Sequence, residues 1–214
     1  METAFSSESA RPLILGVSGA SGLIYAVRAL KYLLQAGYTV DVVASKAAYL
    51  VWQSEQPSAQ DNRIPVNPDE QIKFWRKQAD VPQGGLLRCH AWGNVAATIA
   101  SGSYKARGMI VMPCSMSTVA KLASGLSSDL IERAADVQLK EGRPLIVVPR
   151  ETPFSLIHLR NLTTLAEAGA RIVPAIPAWY HQPQTIEDLV DFVIARVLDQ
   201  LDIDCVPLRR WEGK

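Results

Sequence analysis

Cysteine is scarce in this 214-residue chain. Cys89, Cys114 and Cys205 are odd in number, widely spaced and form no CxxC pair, which argues against a disulfide framework and a cysteine zinc site. An excess of charge of either sign is missing too. Lys and Arg number 22 against 21 Asp and Glu, so there is no basic footprint for a nucleic-acid surface. No run of eighteen apolar residues occurs, and the opening METAFSSESARP has no basic stretch ahead of an apolar one. Neither a membrane helix nor a secretory leader is expected, and the chain reads as cytosolic, without nucleic-acid or membrane partners. The three histidines show no spacing to carboxylates that marks a metal site, so no metal is expected and His158 and His181 read as hydrogen-bonded structural residues.

What is present is enough apolar residue to build a core. At 48% hydrophobic and 20% charged, the chain suits one globular domain. The runs PLILGV (12–17), YTVDVVA (38–44), GMIVMP (108–113), PLIVVP (144–149) and ARIVPAIP (170–177) read as five buried strands. Amphipathic segments at about 22–36, 46–55, 115–125, 129–141, 155–168 and 185–201 alternate with them. That alternation predicts an α/β, Rossmann-like three-layer fold, a mainly parallel sheet flanked by helices. Residues 1–11 read as a flexible tail and 12–214 as the single domain. Residues 56–93, with four prolines and a Gly84-Gly85 pair around one helix at 71–78, read as an irregular excursion.

In an open parallel sheet, ligands sit beyond the carboxyl ends of the strands, where helices present free N–H groups. The turn GVSGASG (16–22) occupies such a place. Its G-x-x-G-x-x-G spacing misses the dinucleotide fingerprint because Ser18 stands at the second glycine, and no P-loop lysine follows. A nicotinamide site would also want an acid at the end of the second strand, where the sequence has Ala44-Ser45-Lys46. A second hydroxyl-rich turn, PCSMST (113–118), precedes another helix. These turns read either as plain caps and a tight bend or as one site for a phosphate and a heterocycle, as in a flavin mononucleotide.

The stretch LIERAADVQLKEGRPLIVVPRETPFSLIHLRNL (130–162), followed by PAIPAWYHQPQTIEDLVDFVIARVLDQL (174–201), resembles the UbiX flavin prenyltransferase family. VSGASG (17–22) and SKAA (45–48) fall in the same order as the family's motifs, so the likeness runs over residues 12–211. The resemblance implies FMN as cofactor, a homo-dodecamer, and transfer of a dimethylallyl group from dimethylallyl monophosphate to N5 and C6 of reduced FMN. The prenylated FMN would serve a separate UbiD-type decarboxylase. By position in the family's pattern, Gly19, Ala20, Ser21 and Ser45 face the flavin, Ser115, Met116, Ser117 and Thr118 line it, and Arg150 contacts it. Tyr180, Arg196, Arg133 and Lys140 would take the prenyl phosphate, since a leaving phosphate departs faster among cations and donors. Read without the resemblance, Arg133 and Lys140 form a surface ladder with Asp136, and Arg196 pairs with Asp199 or Asp202.

Glu151, after the fourth predicted strand in a loop stiffened by Pro149 and Pro153, is the leading proton-transfer candidate, expected to be partly buried. By the same resemblance Glu55 is a second carboxylate, Ser21 a proton shuttle near N5, and Trp211 a wall of the prenyl pocket. Trp92 departs from the family's spacing to ASG (100–102). Cys114 reads as a buried structural thiol. Two other functions share the fold. FMN-dependent cysteine decarboxylases of the phosphopantothenoylcysteine type carry a PxMNxxMW loop where this chain has PCSMST. A non-catalytic flavin carrier would tolerate loss of Glu151, Arg196 and Tyr180, all of which are present.

Overall fold

The computed structural model describes residues 11–56 and 63–207. The expected N-terminal tail, apart from Arg11, and Trp211 lie outside the described residues. Six strands form one parallel sheet: β1 (Leu13–Val17), β2 (Val40–Ala44), β3 (Leu87–Ala91), β4 (Gly108–Cys114), β5 (Leu145–Pro149) and β6 (Arg171–Ile172), in the order β3-β2-β1-β4-β5-β6. Helices α1 (Ile24–Gln35), α2 (Lys46–Glu55), α3 (Pro68–Ala79), α4 (Met116–Ala123), α5 (Leu130–Lys140), α6 (Leu156–Glu167) and α7 (Ile186–Asp199) connect and cover it.

The central strands are apolar on both faces because helices cover both. Leu13, Leu15, Val17, Val42, Ile110 and Ile146 pack towards α1 and α7, while Ile14, Val43, Met109, Val111 and Val147 pack towards α4 and α5. This is the period-two alternation of a strand applied to two cores. Each such side chain stabilises the fold by about 1.5–3 kcal/mol. Helix α7 is fastened to α1 by Arg28, whose Nε and Nη2 donate to Asp191 at 2.7 and 2.5 Å, and by the Tyr32 hydroxyl.

The sheet has one strand more than the five expected, and that strand, β3, lies in the segment read as irregular. Its sequence LRCHA hides the signal: Leu87 and Cys89 join the core, but Arg88 and His90 turn to the opposite face. There they meet the buried Asp41 of β2. Arg88 donates to both carboxylate oxygens at 2.8 Å, the Tyr104 hydroxyl donates at 2.5 Å, and His90 Nε2 lies 2.9 Å away. Burial alone would raise the Asp41 pKa, but the bonds from His90, Arg88 and Tyr104 outweigh it and hold the carboxyl below its ordinary value. At the other edge, β6 is only two residues long where 170–177 was expected. Pro174 and Pro177 have no N–H to continue a ladder.

Candidate functional site

The strand order reverses between β1 and β4, which places a crevice at their carboxyl ends. Ser18 spans it. Its Oγ donates to the Pro113 carbonyl at 3.0 Å and accepts from the Ser115 N–H at 2.7 Å, so the glycine turn and the PCSMST turn are one unit. Beside them, the Ser45 N–H bonds to the Val17 carbonyl and the Arg150 N–H to the Cys114 carbonyl. The loops after β2, β1, β4 and β5 are therefore stitched side by side along a single edge. The expected flavin contacts Gly19, Ala20, Ser21, Ser45, Ser115, Met116, Ser117, Thr118 and Arg150 all come from these loops and the helix starts behind them.

Local geometry explains the residue types. Ser45 and Ser115 cap α2 and α4, accepting from Ala48 N and Thr118 N. Gly22 has φ +95°, a left-handed conformation that suits glycine. A Cβ on Gly19 would sit 2.5 Å from Ala47 Cβ, so only glycine lets this turn lie against α2. The Arg150 Nε is buried and has no hydrogen-bond partner among the described residues, and Tyr25 lies close enough to feel its charge. Burial raises the Tyr25 pKa and that charge offsets part of the rise.

Glu55 does something the sequence did not suggest. From the last turn of α2 it accepts the Gly22 N–H at 2.8 Å and the Leu23 N–H at 3.3 Å. It thereby caps α1, whose own N-cap residue, Leu23, has no side-chain acceptor. The start of α1 is thus already supplied with an anion, and the first turns of α2 and α4 are left to receive one.

Glu151 is exposed, in contrast to the partial burial expected of it. It lies with Arg150 on a 270 Å³ cleft bounded by Pro149, Pro153 and Ile176. Tyr180 follows β6 and is half exposed, its ring edge-on to Phe192 of α7 at 5.6 Å. His181 stacks on the same Phe192 and both its nitrogens lack a partner among the described residues, so it is held by packing and not by the expected hydrogen bonds. His158 does bond, within the cap of α6. Cys114 is fully buried, which pushes its thiol pKa up and leaves it inert. Trp92 sits exposed after β3, its carbonyl accepting from Leu130.

The expected phosphate cations are not gathered at this crevice in one chain. Arg133 pairs with Asp136 at 2.7 Å and Arg196 with Asp199 at 2.8 Å. Lys140 closes α5 beside Glu141 and Gly102, next to the amino end of β5 and so at the opposite end of the sheet from Gly19. Among the described residues no cluster of His, Cys, Asp and Glu is placed to hold a metal ion, and no helix is long and apolar enough to cross a membrane.

Comparison with known proteins fits this geometry. The Flavoprotein family model matches residues 2–198. A flavin prenyltransferase UbiX of Synechocystis sp. is 72% identical over 204 residues, covering 95% of this chain and 97% of that protein. The crystal structure of AnUbiX (PadA1) in complex with FMN and dimethylallyl pyrophosphate matches with TM-score 0.80 and 38% identity over 95% of this chain and 98% of that one. A dodecameric FMN-dependent UbiX-like decarboxylase from Escherichia coli O157:H7 matches with TM-score 0.79 and 39% identity over 94% of this chain and all of that one. The FMN-dependent cysteine decarboxylase SpaF, at 17% identity over 78% of this chain and 86% of that one, and TM-score 0.54, shares the fold alone. With its glycine turn, its capped serine turns and relatives of this identity over nearly its whole length, the chain belongs to the flavoprotein family and, within it, to the UbiX flavin prenyltransferases.

Proposed function

We propose that this chain is a cytosolic flavin prenyltransferase that moves a dimethylallyl group from dimethylallyl monophosphate to N5 and C6 of reduced FMN, its product passing to a UbiD-type decarboxylase. The observation that carries the reading is the stitched edge formed by Ser18, Ser45, Ser115 and Arg150, where a buried guanidinium nitrogen still needs an acceptor. FMN fits there: its phosphate suits the open first turns of α2 and α4, and its heteroatoms suit Ser21, Ser117, Thr118 and Arg150. Reduced FMN, when bound, supplies the nucleophile.

The chain's own groups then position, neutralise and move protons. Tyr180 orients the phosphate ester, and Arg196, Arg133 and Lys140 meet the charge that grows on the leaving phosphate. Each of these three cations rests in a surface pair with Asp199, Asp136 or Glu141. Exposed pairs hold by only about 0–1 kcal/mol, so a doubly charged phosphate can take the cation over. Glu151 accepts the proton shed at C6, and its exposure leaves it free to pass that proton to solvent. Ser21 shuttles a proton near N5, and Glu55 holds the turn that carries Ser21.

Lys140 lies about 15 Å of helix away from the start of α5, so it would serve the site of a neighbouring copy. Leu156, Ile157 and Leu159 on α6, with Ile176, Trp179 and Ile186, are exposed apolar side chains that self-assembly would cover, and a dodecamer is the assembly we propose. The test is anaerobic incubation with FMN, a reductant and dimethylallyl monophosphate or diphosphate in parallel, followed by acid release and mass spectrometry. A gain of one C5 unit on the flavin is expected with the monophosphate. Unchanged FMN from folded, flavin-loaded protein with either donor would overturn the reading in favour of a carrier.

A further inference from the structure

Tyr180 and His181 are the two central residues of a tight turn, closed by the Gln182 N–H donating to the Trp179 carbonyl at 3.0 Å. Gln182 has φ +57°, a left-handed conformation uncommon outside glycine. Beyond it the chain is tied to α7, since Asp188 Oδ2 accepts the N–H groups of Gln184 and Thr185 at 2.8 and 2.9 Å. Aromatic packing seats the turn itself. His181 stacks flat on Phe192 of α7, with ring centroids 5.2 Å apart and planes 9° from parallel. Tyr180 stands edge-on to both rings, 5.9 Å from His181 and 5.6 Å from Phe192.

The three rings form a closed triangle of stacked and edge-to-face contacts, both favoured arrangements. Tyr180 is half exposed, and each further contact narrows the side-chain angles that such a ring can take. Both His181 nitrogens are buried without a hydrogen-bond partner among the described residues. The imidazole therefore works in this turn as a flat disc, and its polar atoms supply nothing that a phenyl ring would lack. Phe192 stands four residues before Arg196, so the two lie in one row along α7, a single turn apart. Whatever fixes Tyr180 against Phe192 also fixes the Tyr180 hydroxyl relative to the Arg196 guanidinium.

We infer that His181 is a positioning residue for prenyl transfer: stacked on Phe192, it seats the turn on α7 and holds Tyr180 beside Arg196, so that both meet the donor phosphate. This role rests on the proposed function of Tyr180 and Arg196 at that phosphate. His181 itself neither touches the donor nor carries a proton.

The experiment measures the KM for dimethylallyl monophosphate, anaerobically and with saturating reduced FMN, in His181→Ala, His181→Phe, Tyr180→Phe and the double variant His181→Ala with Tyr180→Phe. His181→Ala should raise KM about threefold to tenfold, the worth of an aromatic pair, while FMN affinity holds. His181→Phe keeps the disc and should bring KM to within about twofold of the wild type. In the Tyr180→Phe background, where the hydroxyl to be positioned is gone, His181→Ala should add less than about twofold. A residue that served the fold alone would act equally in both backgrounds. With Tyr180→Phe impaired, a wild-type KM in His181→Ala, full multiplication of the two effects in the double variant, or His181→Phe as impaired as His181→Ala would each overturn the inference. A wild-type KM in Tyr180→Phe would instead remove Tyr180 from the donor site, and the role of His181 with it.

Discussion

Ser18→Ala tests whether the flavin edge is one unit. Ser18 is 2% exposed and its hydroxyl is shared between the two turns, donating to Pro113 and accepting from Ser115. Alanine keeps the backbone bond from Ser18 N to Pro113, so the carbonyl remains satisfied. The Ser115 N–H, in contrast, loses its acceptor in a half-buried position. An orphaned donor of this kind costs about 1–3 kcal/mol, taken here as about 2. For a chain of this size each kcal/mol moves the melting temperature by about 2–4 °C, so Ser18→Ala should melt about 4–8 °C lower at matched protein concentration.

The same loss frees the start of α4 to shift, because Ser115 is its cap. FMN affinity should therefore fall by about tenfold, equivalent to about 1.4 kcal/mol of turn rearrangement. Flavin fluorescence quenching reads the affinity and calorimetry the melting. Ser54→Ala, which removes an exposed hydroxyl that donates to the Val51 carbonyl, is the control and should change stability by less than about 0.5 kcal/mol. If Ser18→Ala matches that control in melting and binds FMN as the wild type does, the two turns are not coupled through this hydroxyl.

Gly19→Ala should reduce FMN loading severely while the far-ultraviolet dichroism stays native, since its Cβ would force the turn off α2 by collision with Ala47; normal loading would refute the packing argument. Glu55→Ala should lower the melting temperature by about 2–4 °C, as expected for a cap worth about 1 kcal/mol, whereas Glu55→Gln keeps an acceptor for Gly22 and should melt near the wild type. Loss of product in Glu55→Gln with melting and flavin affinity retained would reveal a proton-transfer role beyond the cap. Glu151→Gln should bind FMN and donor normally yet form the closed product at least tenfold more slowly, and a wild-type rate would remove Glu151 from catalysis. Asp41 has a depressed pKa, so its contribution to stability is present above the unfolded value of about 3.9 and is lost as pH falls through the lower folded value. Asp41→Asn should therefore be less stable at pH 7 and show a shallower loss as pH falls below about 4; urea midpoints with an unchanged pH slope would contradict this.

Where burial and chemistry coincided in one residue type, the sequence was readable. The runs around Leu13, Val42, Ile110 and Ile146 are apolar on both faces because both faces are covered, and they stand out without any knowledge of the fold. β3 does not, because Arg88 and His90, both partly exposed, pair with the buried Asp41, 47 and 49 positions away, and polar letters at alternate positions look like a surface. Ser18 failed in the same way. Judged against a glycine fingerprint it is a missing glycine, yet its hydroxyl bridges to a turn 95 residues on, and glycine there would leave the Ser115 N–H without that acceptor. Glu55 is similar: its partners are main-chain N–H groups, which no side-chain pattern can announce. The flavin-facing glycines and serines were legible because a turn and a cap are local demands. What escaped were the polar groups that join one loop to another, and the crevice at the β1/β4 switch owes its shape to those.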